Sequence, residues 1–207
     1  AIAETVAIAK YLLMIEATGV KAHFGLLSCG ASVELIRAAK AKGLPVTADV
    51  AMHQLHLTEH LTDGFNSLAH VRPPLRSEQD KELLRQGLKE GVIDAICTHH
   101  EPLSSSAKMA PFAETQPGIT AFDTYVSLGI QLINEGLFEP LEWVEKVTSV
   151  PAQVANMTSR WEDEAGWVLV DPELNWTVSK DTILSQGKNT PLLGQNLTGK
   201  VLQTFAN

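Results

Sequence analysis

Cysteine is scarce in this sequence: Cys29 and Cys97 are the only two in 207 residues. They lie far apart, each inside an apolar stretch and without CxxC spacing. A disulfide framework is therefore excluded, and two buried thiols in a reducing, cytoplasmic setting are expected. Basic charge is also short. Sixteen Lys and Arg face 24 Asp and Glu, for a net charge of −8. Nucleic acid and anionic membranes attract basic faces, so neither is expected as a partner. No apolar run approaches the roughly 18 to 20 residues that span a bilayer. Ala1 to Met14 is apolar but is broken by Glu4 and has no basic stretch ahead of it, so it does not read as a signal peptide. A start signal is missing too: the first residues read as a helix already under way, with no cap before them.

What is present suits a globular fold, since 44% hydrophobic content is enough for a sizeable core. Apolar residues at helical spacing (Ile2, Val6, Ala9, Leu12, Leu13) predict a helix over Ala1–Ala17, stopped by Gly19. A short apolar run, Val20 to Leu27, follows. Ser32 to Lys42 is the next predicted helix, with Val33, Leu35, Ile36 and Ala39 as its buried stripe and Gly43 as its stop. Leu44 to Val50 reads as a strand, then a polar loop runs to Leu68. Pro73-Pro74 blocks helix and sheet interior alike. Ser77 caps a helix to Gly87 or Lys89, with Asp80 at its third position as a near capping box. Val92 to Thr98 is the next strand, and a helix over Ala121–Glu135 ends at Gly136. Two short helices, Leu141–Thr148 and Ala152–Met157, are predicted with Pro151 separating them.

Alternation of strand and helix points to an α/β fold with a parallel sheet of βαβ units. Three or four units fit, which is half of an eight-fold barrel or a small open sheet. From Gly166 the character changes to short β-rich runs, Trp167–Asp171, Trp176–Val178 and Lys200–Phe205, between Gly, Asn and Pro turns. The expected organisation is residues 1–157 as the C-terminal half of a (β/α)8 TIM-type barrel and 158–207 as a small β-rich module, the N-terminal half of the barrel not being part of the sequence.

Reactive groups of a parallel barrel sit at the C-terminal ends of its strands. That rule selects His23–Cys29, Ala51–His56, His70–Arg76 and Thr98–Leu103, and every one of the four contains histidine. Seven histidines can also be scattered this way by chance, and each has a plain structural reading beside the chemical one.

These places, in this order, resemble the dihydroorotases of the amidohydrolase superfamily. The likeness is carried by Ser32-Val-Glu-Leu-Ile-Arg-Ala-Ala-Lys40 with Gly43-Leu-Pro-Val-Thr-Ala-Asp49, by Arg72-Pro-Pro-Leu-Arg-Ser77, by Gly91-Val-Ile-Asp-Ala-Ile96 and by the tail Ser185-Gln-Gly-Lys-Asn-Thr-Pro-Leu-Leu-Gly194. Such enzymes open and close a cyclic amide with zinc-activated water, so the resemblance implies zinc as the cofactor wherever the site is functional. It also implies residues for each role. A metal-binding histidine of the family's His-Val-Ser-Thr string is here Leu26. The next ligand, in Thr-Pro-His-His-Leu, is matched by His53 in Ala51-Met-His-Gln-Leu55. An asparagine that holds substrate is here Arg72. The family's Thr-Asp-His-Ala-Pro-His becomes Thr98-His99-His100-Glu101-Pro102-Leu103, which puts His99 at the catalytic aspartate and Leu103 at a substrate-touching histidine. Gly118, in the loop Ala110–Ile119, stands where the family's backbone meets substrate.

Two readings follow for each of these residues. His53 is a surviving ligand or a hydrogen-bonded loop histidine. At most one of His99 and His100 faces the barrel mouth, because neighbours on a strand point to opposite faces. His23 has a structural role. Arg72 binds an anion or is an exposed loop residue, and Glu101 pairs with Arg72 or Lys108. With four positions replaced, the resemblance is strongest to a non-catalytic branch that assembles with aspartate transcarbamoylase, on the strings Ala22–Cys29 and Ala107–Phe112. The expected function is a structural partner of an aspartate transcarbamoylase subunit in pyrimidine synthesis, within a homo- or hetero-oligomer. The alternatives are an active zinc-dependent cyclic-amide hydrolase with altered ligands, completed by a His-x-His upstream, and a related hydantoinase or allantoinase, from which the Pro-Pro-Leu-Arg-Ser run leans away.

Overall fold

A computed structural model describes residues 1–157 and 166–205. Its first helix, α1 (Ile2–Thr18), ends where Gly19 takes a left-handed φ of 68°, a conformation glycine adopts without a Cβ penalty. Apolar residues lie all round α1. Ile8 and Ile15 are buried, while Ile2, Val6, Tyr11 and Leu13 are exposed. The face that the sequence spacing marked through Ile2, Val6 and Leu13 is therefore largely the open one.

Strand β1 (Ala22–Phe24) leads into α2 (Gly30–Ala41), and β2 (Val46–Ala51) follows. Of the predicted stripe on α2, Val33, Ile36 and Ala39 are buried and Leu35 is half-buried. After β2 the chain forms short 3-10 turns at Met52–Leu55, Glu59–Phe65 and Ser67–Ala69, where the sequence reads only as loop. Ser77 then caps α3 (Glu78–Lys89). Its hydroxyl accepts the Asp80 N–H at 3.2 Å and donates to Asp80 Oδ2 at 2.8 Å. Strand β3 (Ala95–Cys97) completes a parallel sheet of order β1-β2-β3, with Ala22 opposite Val46 and Asp49 opposite Ala95. The strands are shorter than the apolar runs that announced them, and run ends such as Leu27 and Ile93 are buried outside the strands.

Helix α4 (Phe122–Asn134) packs against α5 (Pro140–Val147) so closely that a Cβ on Gly129 would lie 2.2 Å from the Trp143 ring. Pro151 does not separate two helices, as its rigid ring suggested, but sits in the first turn of α6 (Ser149–Val154). A missing N–H costs nothing there, since first-turn donors have no partner within the helix. The two predicted runs before Val178 are one strand, β4 (Trp167–Thr177), paired antiparallel with β5 (Asn196–Phe205). A register shift between Asp171 and Asn175 absorbs Pro172. Trp176, Val178 and Leu197 join the same core cluster as Val50, Leu84 and Leu132. The β-rich segment thus shares its apolar interior with the helices. Part of the boundary expected for it, 158–165, lies outside the described residues.

Candidate active site

The strand ends gather the expected residues unevenly. In the middle of β1, His23 Nε2 lies 2.8 Å from Asp49 Oδ2 and its Nδ1 lies 2.8 Å from Thr47 Oγ1. Asp49 Oδ1 accepts the Leu26 N–H at 2.8 Å. His23 and Asp49 therefore brace the bend that presents Leu26. That bend is unusual: Leu26 has φ 61°, in the left-handed region that costs a non-glycine residue on the order of 1–3 kcal/mol. Its side chain is aliphatic and offers no lone pair.

His53, on the 3-10 turn after β2, is 2% exposed, and neither ring nitrogen has a hydrogen-bond partner. Its ring stacks on His99 with centroids 5.7 Å apart. Burial first, and the neighbouring His99 second, push its pKa down to about 3. At neutral pH it is an uncharged, weakly basic imidazole, poorly matched to proton transfer. The hydrogen-bonded loop histidine of the plain reading is not what the structure shows, because the ring is buried without partners. His99 also has a left-handed backbone, φ 46°, and its Nδ1 is buried and unpartnered.

His99 and His100 diverge as expected, although β3 has already ended at Cys97. His100 turns away to the start of α4, where Nδ1 accepts the N–H groups of Ala121 and Phe122 at 3.0 and 3.1 Å. Its ring lies flat on Phe122, with centroids 3.9 Å apart. Glu101 pairs with neither Arg72 nor Lys108. Its carboxylate lies 3.6 Å from His99 Nε2, while the Lys108 ammonium donates to the His70 and Gln116 carbonyls. Arg72 is exposed. Cys97 is half-buried, and burial together with the Asp49 charge raises its pKa, so it stays a neutral thiol rather than a nucleophile.

Leu103 and Gly118 are brought together by a residue that the sequence did not mark individually. Asn189 Oδ1 accepts the Leu103 N–H at 2.6 Å and the Thr120 hydroxyl at 2.8 Å. Its Nδ2 donates to the carbonyls of Glu101 and Gly118 at 3.0 and 3.1 Å. Gly118, at φ 145°, lies so near Glu101 that a Cβ would come within 3.0 Å of it. The close approach that glycine permits is used between two loops of the protein itself. The only earlier signal for Asn189 was its place in the Ser185–Gly194 string.

Zinc takes four ligands in a structural site and three protein ligands plus water in a catalytic one. Among the described residues, no group of three or more His, Cys, Asp or Glu side chains converges as a metal site. His53 and His99 bring two imidazoles and Leu26 brings nothing. The donors present do not by themselves fit a zinc ion.

No family model matches the chain, but curated relatives do. A dihydroorotase-like protein of Pseudomonas aeruginosa is 41% identical over 208 residues, which is 99% of this chain and 49% of that protein. A dihydroorotase of Syntrophus aciditrophicus is 36% identical over 207 residues, with the same coverage. The chain thus spans about half the length of the curated relatives it matches. Among solved structures, the L-hydantoinase (dihydropyrimidinase) from Arthrobacter aurescens superposes with a TM-score of 0.87 at 22% identity, over 98% of this chain and 47% of the other. An inactive dihydroorotase-like domain of a CAD-like multifunctional protein from Chaetomium thermophilum gives a TM-score of 0.72 at 20% identity, over 97% and 53%. At that identity the likeness establishes the fold. No helix among the described residues is long and apolar enough to cross a membrane. Over nearly its whole length, this chain is a homologue of dihydroorotase-like proteins and dihydroorotases with the α/β fold of the hydantoinases.

Proposed function

We propose that the chain is the C-terminal half of a dihydroorotase-type barrel whose hydrolytic site has decayed, and that it serves pyrimidine synthesis as a structural partner of aspartate transcarbamoylase. One observation carries this reading. Leu26 and His99, at the resemblance's ligand and general-base positions, have strained left-handed backbones. Leu26 nevertheless cannot bind a metal, and His99 leans on the uncharged ring of His53. Strained backbones of this kind cluster at functional sites, and here they stand without the donor set that would use them. The existence of a dihydroorotase-like relative and of an inactive dihydroorotase-like domain supports the same reading. So do the exposed apolar face of α1 and the position of β1 at the edge of the sheet among the described residues, where further helices and strands of a barrel would pack.

The test is co-purification of the full-length protein with its organism's aspartate transcarbamoylase, alongside elemental analysis for zinc and a dihydroorotate assay. A stable complex, less than stoichiometric zinc and no turnover are expected. A chain that stays alone in gel filtration beside the transcarbamoylase sinks the scaffold role. The second reading, an active cyclic-amide hydrolase with an altered centre, is favoured by the unpartnered nitrogens of His53 and His99. Stoichiometric zinc with turnover that disappears on His99→Ala would establish it instead.

A further inference from the structure

The chain carries a net charge of −8, yet one of its cavities is lined by cations. This cavity, about 480 Å³, lies between the turns near Ser67 and Ser105 and the segment from Lys180 to Leu193. That volume is in the range of small-ligand sites. Lys108, Lys180 and Lys188 line it, and no Asp or Glu does. Glu101 offsets part of the Lys108 charge from outside the cavity, and the three cations lining it still set up a local positive potential, which low-dielectric walls strengthen.

The three lysines are held differently. The Lys108 side chain is buried at 7% exposure, with its ammonium fixed by the carbonyls of His70 and Gln116 at 3.1 and 2.7 Å. An ammonium has three protons, so one donor remains beyond those two bonds. Lys188 is half-buried, with its Nζ on the Ile183 carbonyl at 2.5 Å. Lys180, the third lining lysine, is exposed. None of the three makes an ion pair among the described residues, whereas Lys40, Lys42 and Lys81 each do. Hydroxyls of Ser104 and Ser105 and the Gln186 amide add polar contacts, and Leu68, Leu103 and Leu193 supply an apolar wall.

We infer that this cavity is a binding site for a small organic anion, a phosphate or carboxylate carried on a partly apolar body. Lys108 and Lys188 form a fixed cationic floor, Lys180 closes over the anion, and the leucines take the apolar part. The site is independent of metal chemistry and of the scaffold role. It adjoins the loop clamped by Asn189, through Leu103 and Asn189 itself.

Isothermal titration of the full chain at low ionic strength tests the inference with four probes: phenyl phosphate, phenylacetate, inorganic phosphate and benzyl alcohol. One saturable site per chain is expected for phenyl phosphate or phenylacetate, and whichever binds tighter identifies phosphate or carboxylate as the preferred anion. Inorganic phosphate should bind more weakly, and benzyl alcohol not measurably. Lys180→Gln, at an exposed position that leaves the fold intact, should weaken the organic anion about tenfold; K180Q/K188Q should weaken it further with an unchanged circular dichroism spectrum. Benzyl alcohol binding as well as the anions, no saturable heat with either organic anion, or full affinity in K180Q would each overturn the proposal.

Discussion

His53 shows how much one side chain depends on its surroundings. In water its imidazole would titrate near 6.5; here burial holds the pKa near 3, and His56 is pushed down to about 4 for the same first reason. The sign follows from linkage. As pH falls below 6.5 the unfolded chain takes up protons that the folded rings refuse, so stability falls with pH until the folded pKa values are reached. Each histidine contributes about 1.4 kcal/mol per pH unit in that window. Urea denaturation between pH 7 and 4.5 should show this loss, and His53→Leu should make the slope shallower; an unchanged slope in the variant would refute the assignment. Asn189 is the opposite case, a fully satisfied buried polar group. Asn189→Ala strips partners from Leu103 N–H and from two carbonyls. It should cost about 2–4 kcal/mol by thermal or chemical melting.

At the scale of elements, short local signals proved strong where they act within one turn. Ser77 and Asp80, Gly19 and Gly43 stand at helix ends as their chemistry requires. Spacing on α1 was weaker evidence, because a helix apolar on all sides has no single buried stripe to read. The contact of α4 with α5 was not visible in the sequence at all. Gly129 is a mid-helix glycine there for lack of room: its neighbour is the Trp143 ring. Gly129→Ala should therefore destabilise by about 1–3 kcal/mol despite alanine's better helix propensity, with a lowered melting temperature as the readout. A stabilised variant would mean that the two helices are not packed this closely.

On the molecular scale the distribution of apolar surface is lopsided. On one side α2 packs against β2 and α3 against α2, whereas Ile2, Val6 and Leu13 are exposed together along the outer face of α1. Contiguous apolar surface of this kind marks an interaction site. The 207 residues prepared alone should bind a hydrophobic dye and elute above the 22.4 kDa monomer in gel filtration. Val6→Lys with Leu13→Glu should reduce both effects. A monomeric, dye-silent chain would show that this face is content in water.

The sequence by itself determined the α/β class, the order of helices and strands, the parallel pairing and the absence of a usable lone pair at Leu26. All of these rest on periodicity, caps and side-chain chemistry, which are local. Only the tertiary structure decided that His53 stacks on His99 without a polar partner, that His100 caps α4 instead of facing a ligand, that Glu101 turns to His99, and that Asn189 ties two loops from 69 or more residues away in the chain. Burial and hydrogen-bond partners depend on what long-range packing places beside a group, and the pKa follows from that environment.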